Sequence, residues 1–197
     1  MTVSAATSER YSQVAIVLHW LIALTFAGMI GVGFYMTDLD DTELTLKFSL
    51  YQWHKSFGVT ILILTMCRLG WRLIRKPPHW TGPHSWRKKT AGVAHSLLYL
   101  LTLLIPLAGW AMVSVSPFNI PTILFGEIHW PHLAYFNSLP NKASTEATLK
   151  LIHKSLAYGT AVLALSHAAA ALGHHFILRD GTLGRMALRF NKNGPAE

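Results

Sequence analysis

Charged residues are what this chain has least of. Asp, Glu, Lys and Arg supply 13% of its 197 residues, while 51% are hydrophobic. Soluble domains carry about 25% charged residues, so a surface wetted all round is excluded, and the mean hydropathy of +0.33 agrees. Cysteine is nearly missing. With Cys67 alone, no disulfide can form within one chain, and without a C-x-x-C-H motif a covalently attached c-type haem is excluded. Cys67 lies in an apolar run and reads as a small core residue. A cleavable leader is not indicated: the first apolar run, Val14–Met36, is too long for a signal-peptide core and no convincing cleavage site follows. It reads as a retained membrane helix that also directs insertion.

What is present is four long apolar stretches, roughly Val14–Met36, Tyr51–Ile74, Thr90–Ser116 and Ala147–Leu178. Each exceeds the roughly 20 residues a helix needs to cross a bilayer core, and lipid admits only helices or closed barrels. The length suits one domain over residues 1–197. The connections differ in charge. Thr37–Leu50 holds Asp38, Asp40, Asp41 and Glu43. Arg75–Lys89 holds five bases and no acid, and the tail over 179–197 is basic. The positive-inside rule places both termini and the Arg75–Lys89 loop in the cytoplasm. The fold class expected is therefore an all-α membrane protein, a four-transmembrane-helix up-down bundle with N-in and C-in topology. The +8 balance is then a topology signal and not a mark of nucleic-acid binding. Trp53, Trp80, Trp86 and Trp130 sit near span ends, as an interfacial belt against membrane lipid would.

Eleven histidines remain to be sorted. His79, His84, His129 and His132 fall in loops and read as solvated or interfacial. His174 and His175 end the fourth span, where a cation complements the helix dipole. Five lie inside the spans: His19, His54, His95, His153 and His167. Ionisable groups at membrane depth are costly and usually functional. Helix direction sorts them into two layers: His54 with His153 outside, and His167 with His19 and His95 inside. His153 and His167 are 14 residues apart, which puts them on one helix face about 21 Å apart at about 1.5 Å per residue. The same interval leads from His19 to Gly33, from His54 to Arg68 and from His95 to Gly109. Glycine lets a flat ring approach the backbone. Arg68 shares the His54 face at the inner depth, where a carboxylate-bearing cofactor needs a cation.

Compact zinc sites gather more ligands, with cysteine or carboxylate help, and these spans hold no acid beyond the marginal Glu146. Paired histidines facing each other across a bundle suit a planar iron porphyrin inside it. With both axial positions filled, electron transfer is favoured over oxygen binding. Spacing alone leaves open whether His19 or His95 partners His167.

Several motifs now stand together: R-Y-S-x-x-A-I-x-L-H-W at Arg10–Trp20, W-H-K-S-F-G at Trp53–Gly58, C-R-L-G-W-R at Cys67–Arg72, A-H-S-L-L-Y at Ala94–Tyr99, I-P-L-A-G-W at Ile105–Trp110, I-H-K-S at Ile152–Ser155, and the run from Ser166 to Met186. In these the chain resembles the bacterial cytochrome b561 family, which is grouped with the b-type cytochrome subunits of nickel–iron hydrogenases. The resemblance implies two non-covalent haem b groups, His19 with His167 and His54 with His153, leaving His95 for a propionate bond or a proton path. It implies single-electron exchange with a quinone, ubiquinone or menaquinone. The donor would be a periplasmic one, superoxide among the candidates. A second reading is an electron-transfer anchor subunit for a partner dehydrogenase or hydrogenase. A third is a histidine-lined transporter, although the fourth span lacks the Gly/Pro break of transporter helices.

Overall fold

The computed structural model describes residues 10–78 and 86–188, the side chain of Arg87 excepted. His79, Trp80, His84, Arg189 and Lys192 lie outside the described residues. In chain order the elements are α1 (Gln13–Asp38), α2 (Leu44–Ile74), α3 (Trp86–Val115), the strands β1 (Thr122–Leu124) and β2 (Ile128–Trp130), the short α4 (Ala134–Asn137), and α5 (Lys142–Gly173). Four helices are long and apolar enough to cross a membrane. All four run beyond their expected bounds, two of them by five residues or more. α2 starts at Leu44 rather than Tyr51, and α5 at Lys142 rather than Ala147. Hydropathy marks where the hydrocarbon ends, whereas a helix continues as long as its backbone finds partners. At about 1.5 Å per residue α2 spans roughly 46 Å, well past a core of about 30 Å.

Local chemistry sets the helix ends. Ser12 caps α1, its Oγ accepting from the Ala15 N–H. A 3-10 turn at Asp41–Glu43 joins α1 to α2, and Lys47 ties it by donating to the Leu39 carbonyl and to Asp41. α5 runs into a π turn at His174–Leu178, which Arg179 ends in the left-handed region at φ 51°.

α1 packs on α2, α2 on α3 and α3 on α5, while α1 and α5 meet only slightly. Small and β-branched residues carry the tightest contacts: Ile16, Ser56, Thr65, Val115 and Thr160 are almost wholly buried. Large apolar side chains such as Leu24, Leu73, Val162 and Leu165 point outward, which is the pattern of a lipid-facing surface. Cys67 is on that surface too. The expectation of a core cysteine fails because lipid, unlike water, does not drive an apolar group inward.

The segment over residues 117–146, expected as a loop, is folded. β1 and β2 pair antiparallel from Thr122↔Trp130 to Leu124↔Ile128. The turn between them carries Phe125 and Gly126 at positive φ. That conformation costs a non-glycine residue about 1–2 kcal/mol; the Phe125 ring is held there edge-on to Trp53 and Phe57. Buried side chains anchor the rest. Ser56, 1% exposed, accepts from the Phe125 N–H, and Ser114, 0% exposed, accepts from the Leu133 N–H. Gln52 donates to the Pro121 carbonyl, and Trp110 to that of Pro131. The segment is thus a cap over one end of the bundle. Both termini of the described chain lie at the other end.

Candidate functional site

At the cap end, His54 on α2 faces His153 on α5, with ring centroids 6.3 Å apart and planes at 72°. The I-P-L-A-G-W segment explains how His153 is held. Its Nδ1 lies 3.0 Å from the Ile105 carbonyl oxygen. A carbonyl only accepts, so Nδ1 carries the proton and Nε2 keeps its lone pair. Gly109, one turn further along α3, supplies the room: a Cβ there would lie 3.1 Å from Cε1 and 3.3 Å from Nδ1 of His153. A Cβ on Gly33 would lie 3.5 Å from Cε1 of His54. The two glycines therefore receive the edges of the imidazoles themselves, where the sequence pattern suggested room for a flat ring. His54 Nδ1 is buried with no partner in the protein. Such an atom costs about 1–3 kcal/mol when left without a partner.

The histidine notch yields a prediction. Gly109→Ala should push His153 off the Ile105 carbonyl, with an overpacking cost of about 1–3 kcal/mol. Thermal denaturation should fall accordingly, and the absorption spectrum should change at the cap-end histidines only.

At the opposite end, His19 on α1 lies 6.3 Å from His167 on α5, centroid to centroid, with planes at 84°. His95 on α3 approaches the same His167 ring to 5.2 Å. His19, His54, His153 and His167 are half-buried, whereas His95 is exposed. Two imidazole nitrogens each about 2.0 Å from one metal, on opposite sides of it, put their ring centroids roughly 6–6.5 Å apart. Both 6.3 Å pairs fit that separation, and the 5.2 Å pair is too short for it. Among the described residues no group of three or more His, Cys, Asp or Glu could share one metal ion. The donor set therefore offers pairs, not cages, which suits a macrocycle that brings its own four nitrogens.

Arg68 reaches this second pair from α2. Its Nε donates to the Tyr99 hydroxyl at 2.9 Å and its Nη1 to the Ala15 carbonyl at 3.4 Å. The guanidinium carbon lies 5.5 Å from the Tyr99 ring centroid, as does that of Arg72. Arg68 is close enough to act electrostatically on His19, His95 and His167, and Arg72 on His95. Sequence reasoning singled out Arg68 but missed Tyr99. The available signal was its place four residues after His95, on the same helix face.

Residues 10–188 match the family described as prokaryotic cytochrome b561. The chain belongs to this family. Cytochrome b561 homolog 2 of Escherichia coli K12 is 30% identical over 181 residues, covering 91% of this chain and 92% of the relative. Cytochrome b561 homolog 1 of the same strain is 30% identical over 192 residues, covering 92% and 98%. A probable superoxide oxidase of Yersinia pestis is 31% identical over 183 residues, covering 90% and 96%. This cytochrome is a multi-pass electron-transfer protein of the bacterial inner membrane, in a family that implies haem b.

Other motif residues of the cytochrome close the end where its termini lie. Arg10 donates to the Ala187 carbonyl and Trp20 to that of Met186, while Trp71 donates to the capping Ser12 hydroxyl. The segment after α5 is thereby strapped over α1 beside His19. His174, expected at a helix-end cap or against lipid headgroups, is the C-cap residue of α5 and also pairs with Asp180. Desolvation pushes the Asp180 carboxyl up, but bonds from Thr182 and His174 outweigh it and hold the pKa down at about 2.

At the cap end an open groove of about 520 Å³ runs past Asn119, His129, Trp130 and His132. His129 is exposed, as expected of a loop histidine. His132 is not free: its Nδ1 lies 3.2 Å from Asn119 Oδ1. Burial and the nearby Lys55 cation lower its pKa.

Proposed function

We propose that this cytochrome binds two haem b groups, His54 with His153 and His19 with His167, and passes single electrons between an outer-face donor and the quinone pool. The observation that carries this is the pair of equal 6.3 Å histidine separations, placed at two depths by one helix. In this reading the termini and the Arg75–Lys89 loop are cytoplasmic and the cap is periplasmic, following the basic bias of the connections. The haems supply reversible one-electron chemistry. The chain's own residues do the rest. Ile105 and Gly109 orient His153, the cap keeps bulk water from the outer pair, and Arg68 offers a cation to a propionate of the inner haem.

His95, exposed beside His167, is placed to pass a proton toward quinone. Two single-electron transfers and two protons convert one quinone, ubiquinone or menaquinone, to its quinol. Each electron leaves one donor molecule oxidised. Superoxide, which would leave as dioxygen, is the donor suggested by the name of the Yersinia relative. Lys55, which donates to the Pro121 carbonyl inside the cap, gives an anionic donor a local positive charge.

The purified protein should give a reduced-minus-oxidised spectrum of b type and about two haems per chain. It should also reduce a soluble quinone when superoxide is generated enzymatically. One haem per chain, or none, would overturn the two-site reading; two haems without quinone reduction would overturn only the donor.

A further inference from the structure

Two guanidiniums lie against one tyrosine ring at the inner end, whereas at the outer end a single ammonium, that of Lys154, lies 5.9 Å from the Tyr158 ring centroid. Arg68 and Arg72 both sit 5.5 Å from the Tyr99 centroid, and the Tyr99 hydroxyl accepts from Arg68 Nε. Neither arginine pairs with an acid: the salt bridges among the described residues are Lys47–Asp41 and His174–Asp180. The outer pair has the Ile105 carbonyl on His153, and its nearest cations are lysines: Lys55, donating to the Pro121 carbonyl, and Lys154, over Tyr158. An arginine inside a membrane helix tends to extend toward the headgroups. Tyr99 opposes this, since its ring attracts the cation and its hydroxyl fixes one edge.

We propose that Tyr99 is a positioning residue that holds Arg68 beside the inner histidine pair, with Arg72 beside His95, and so raises the reduction potential of the inner centre and favours the electron there. This rests on the two-haem reading above. An electron arriving at the inner layer adds one negative charge there, and the same electron leaves the outer layer, so the transfer needs no other reactant. Two fixed cations stabilise the state with the electron inside. In a low-dielectric bundle that term is large.

The test is a potentiometric titration of the full-length cytochrome with haem quantitation. The midpoints are assigned by the signal that disappears in His153→Ala. Arg68→Gln should shift the equilibrium between the two centres at least about tenfold toward the outer one, about 59 mV for a one-electron couple. Tyr99→Phe keeps the ring and loses the anchor, so it should shift the same midpoint in the same direction by less. Tyr99→Leu should shift it further, and Arg68→Lys should recover most of the potential. The outer midpoint should hold still throughout. An unchanged inner midpoint in Tyr99→Phe and Tyr99→Leu overturns the proposal, as does an equal shift of both midpoints. Loss of the inner haem from both tyrosine variants assigns Tyr99 a structural role and also overturns it. The underlying reading fails separately, and visibly, if His167→Ala retains both haems.

Discussion

His153→Ala is expected to leave a folded protein that binds about one haem per chain in place of about two. The fold should survive because His153 is half-buried and anchors only to the Ile105 carbonyl. That carbonyl lies within α3, so losing the imidazole leaves it a helix partner and not an orphan. Haem retention should not survive, since His54 would face an empty position where the second imidazole stood. His54→Ala should give the same stoichiometry from the other side. The inner haem, set by residues about 21 Å further along α5, should keep its spectrum in both variants. Haem per chain by pyridine haemochromogen, together with the reduced spectrum, decides the matter. Two haems in either variant would sink the assignment of the outer pair.

The parts of this architecture that hydropathy governs were readable in the chain. Four spans are fixed by apolar length, and the two layers follow from helix direction and the 14-residue step between His153 and His167. Gly109 and Arg68 were reachable for the same reason, since a helix repeats its faces at known intervals. What each does was not. Gly109 matters because of where the His153 ring lies, and Arg68 is held by Tyr99, an element away. The cap was opaque for a different reason. Its strands are three residues long and set among prolines, and what folds them down is Ser56, Ser114, Gln52 and Trp110, which lie in other elements. Cys67 was misplaced because burial statistics from water-soluble cores do not apply at a lipid face.

The inner pair is where spacing left two candidates, and the second large effect is expected there. His19→Ala and His167→Ala should each remove the inner haem, leaving about one per chain, whereas His95→Ala should retain both. His19 stands at the 6.3 Å separation found for the outer pair, while His95 touches the same ring at 5.2 Å and is exposed. A ring that close can orient His167 but cannot share a metal with it along one axis. The strap from Trp20 to the Met186 carbonyl also fixes the α1 turn that carries His19. His95→Ala should therefore keep the haem count and change a rate: quinone reduction should slow, most at high pH, where protons must be relayed rather than taken from solution. Loss of a haem in His95→Ala with two haems kept in His19→Ala would exchange their roles, and the inner pair would then run from α3 to α5.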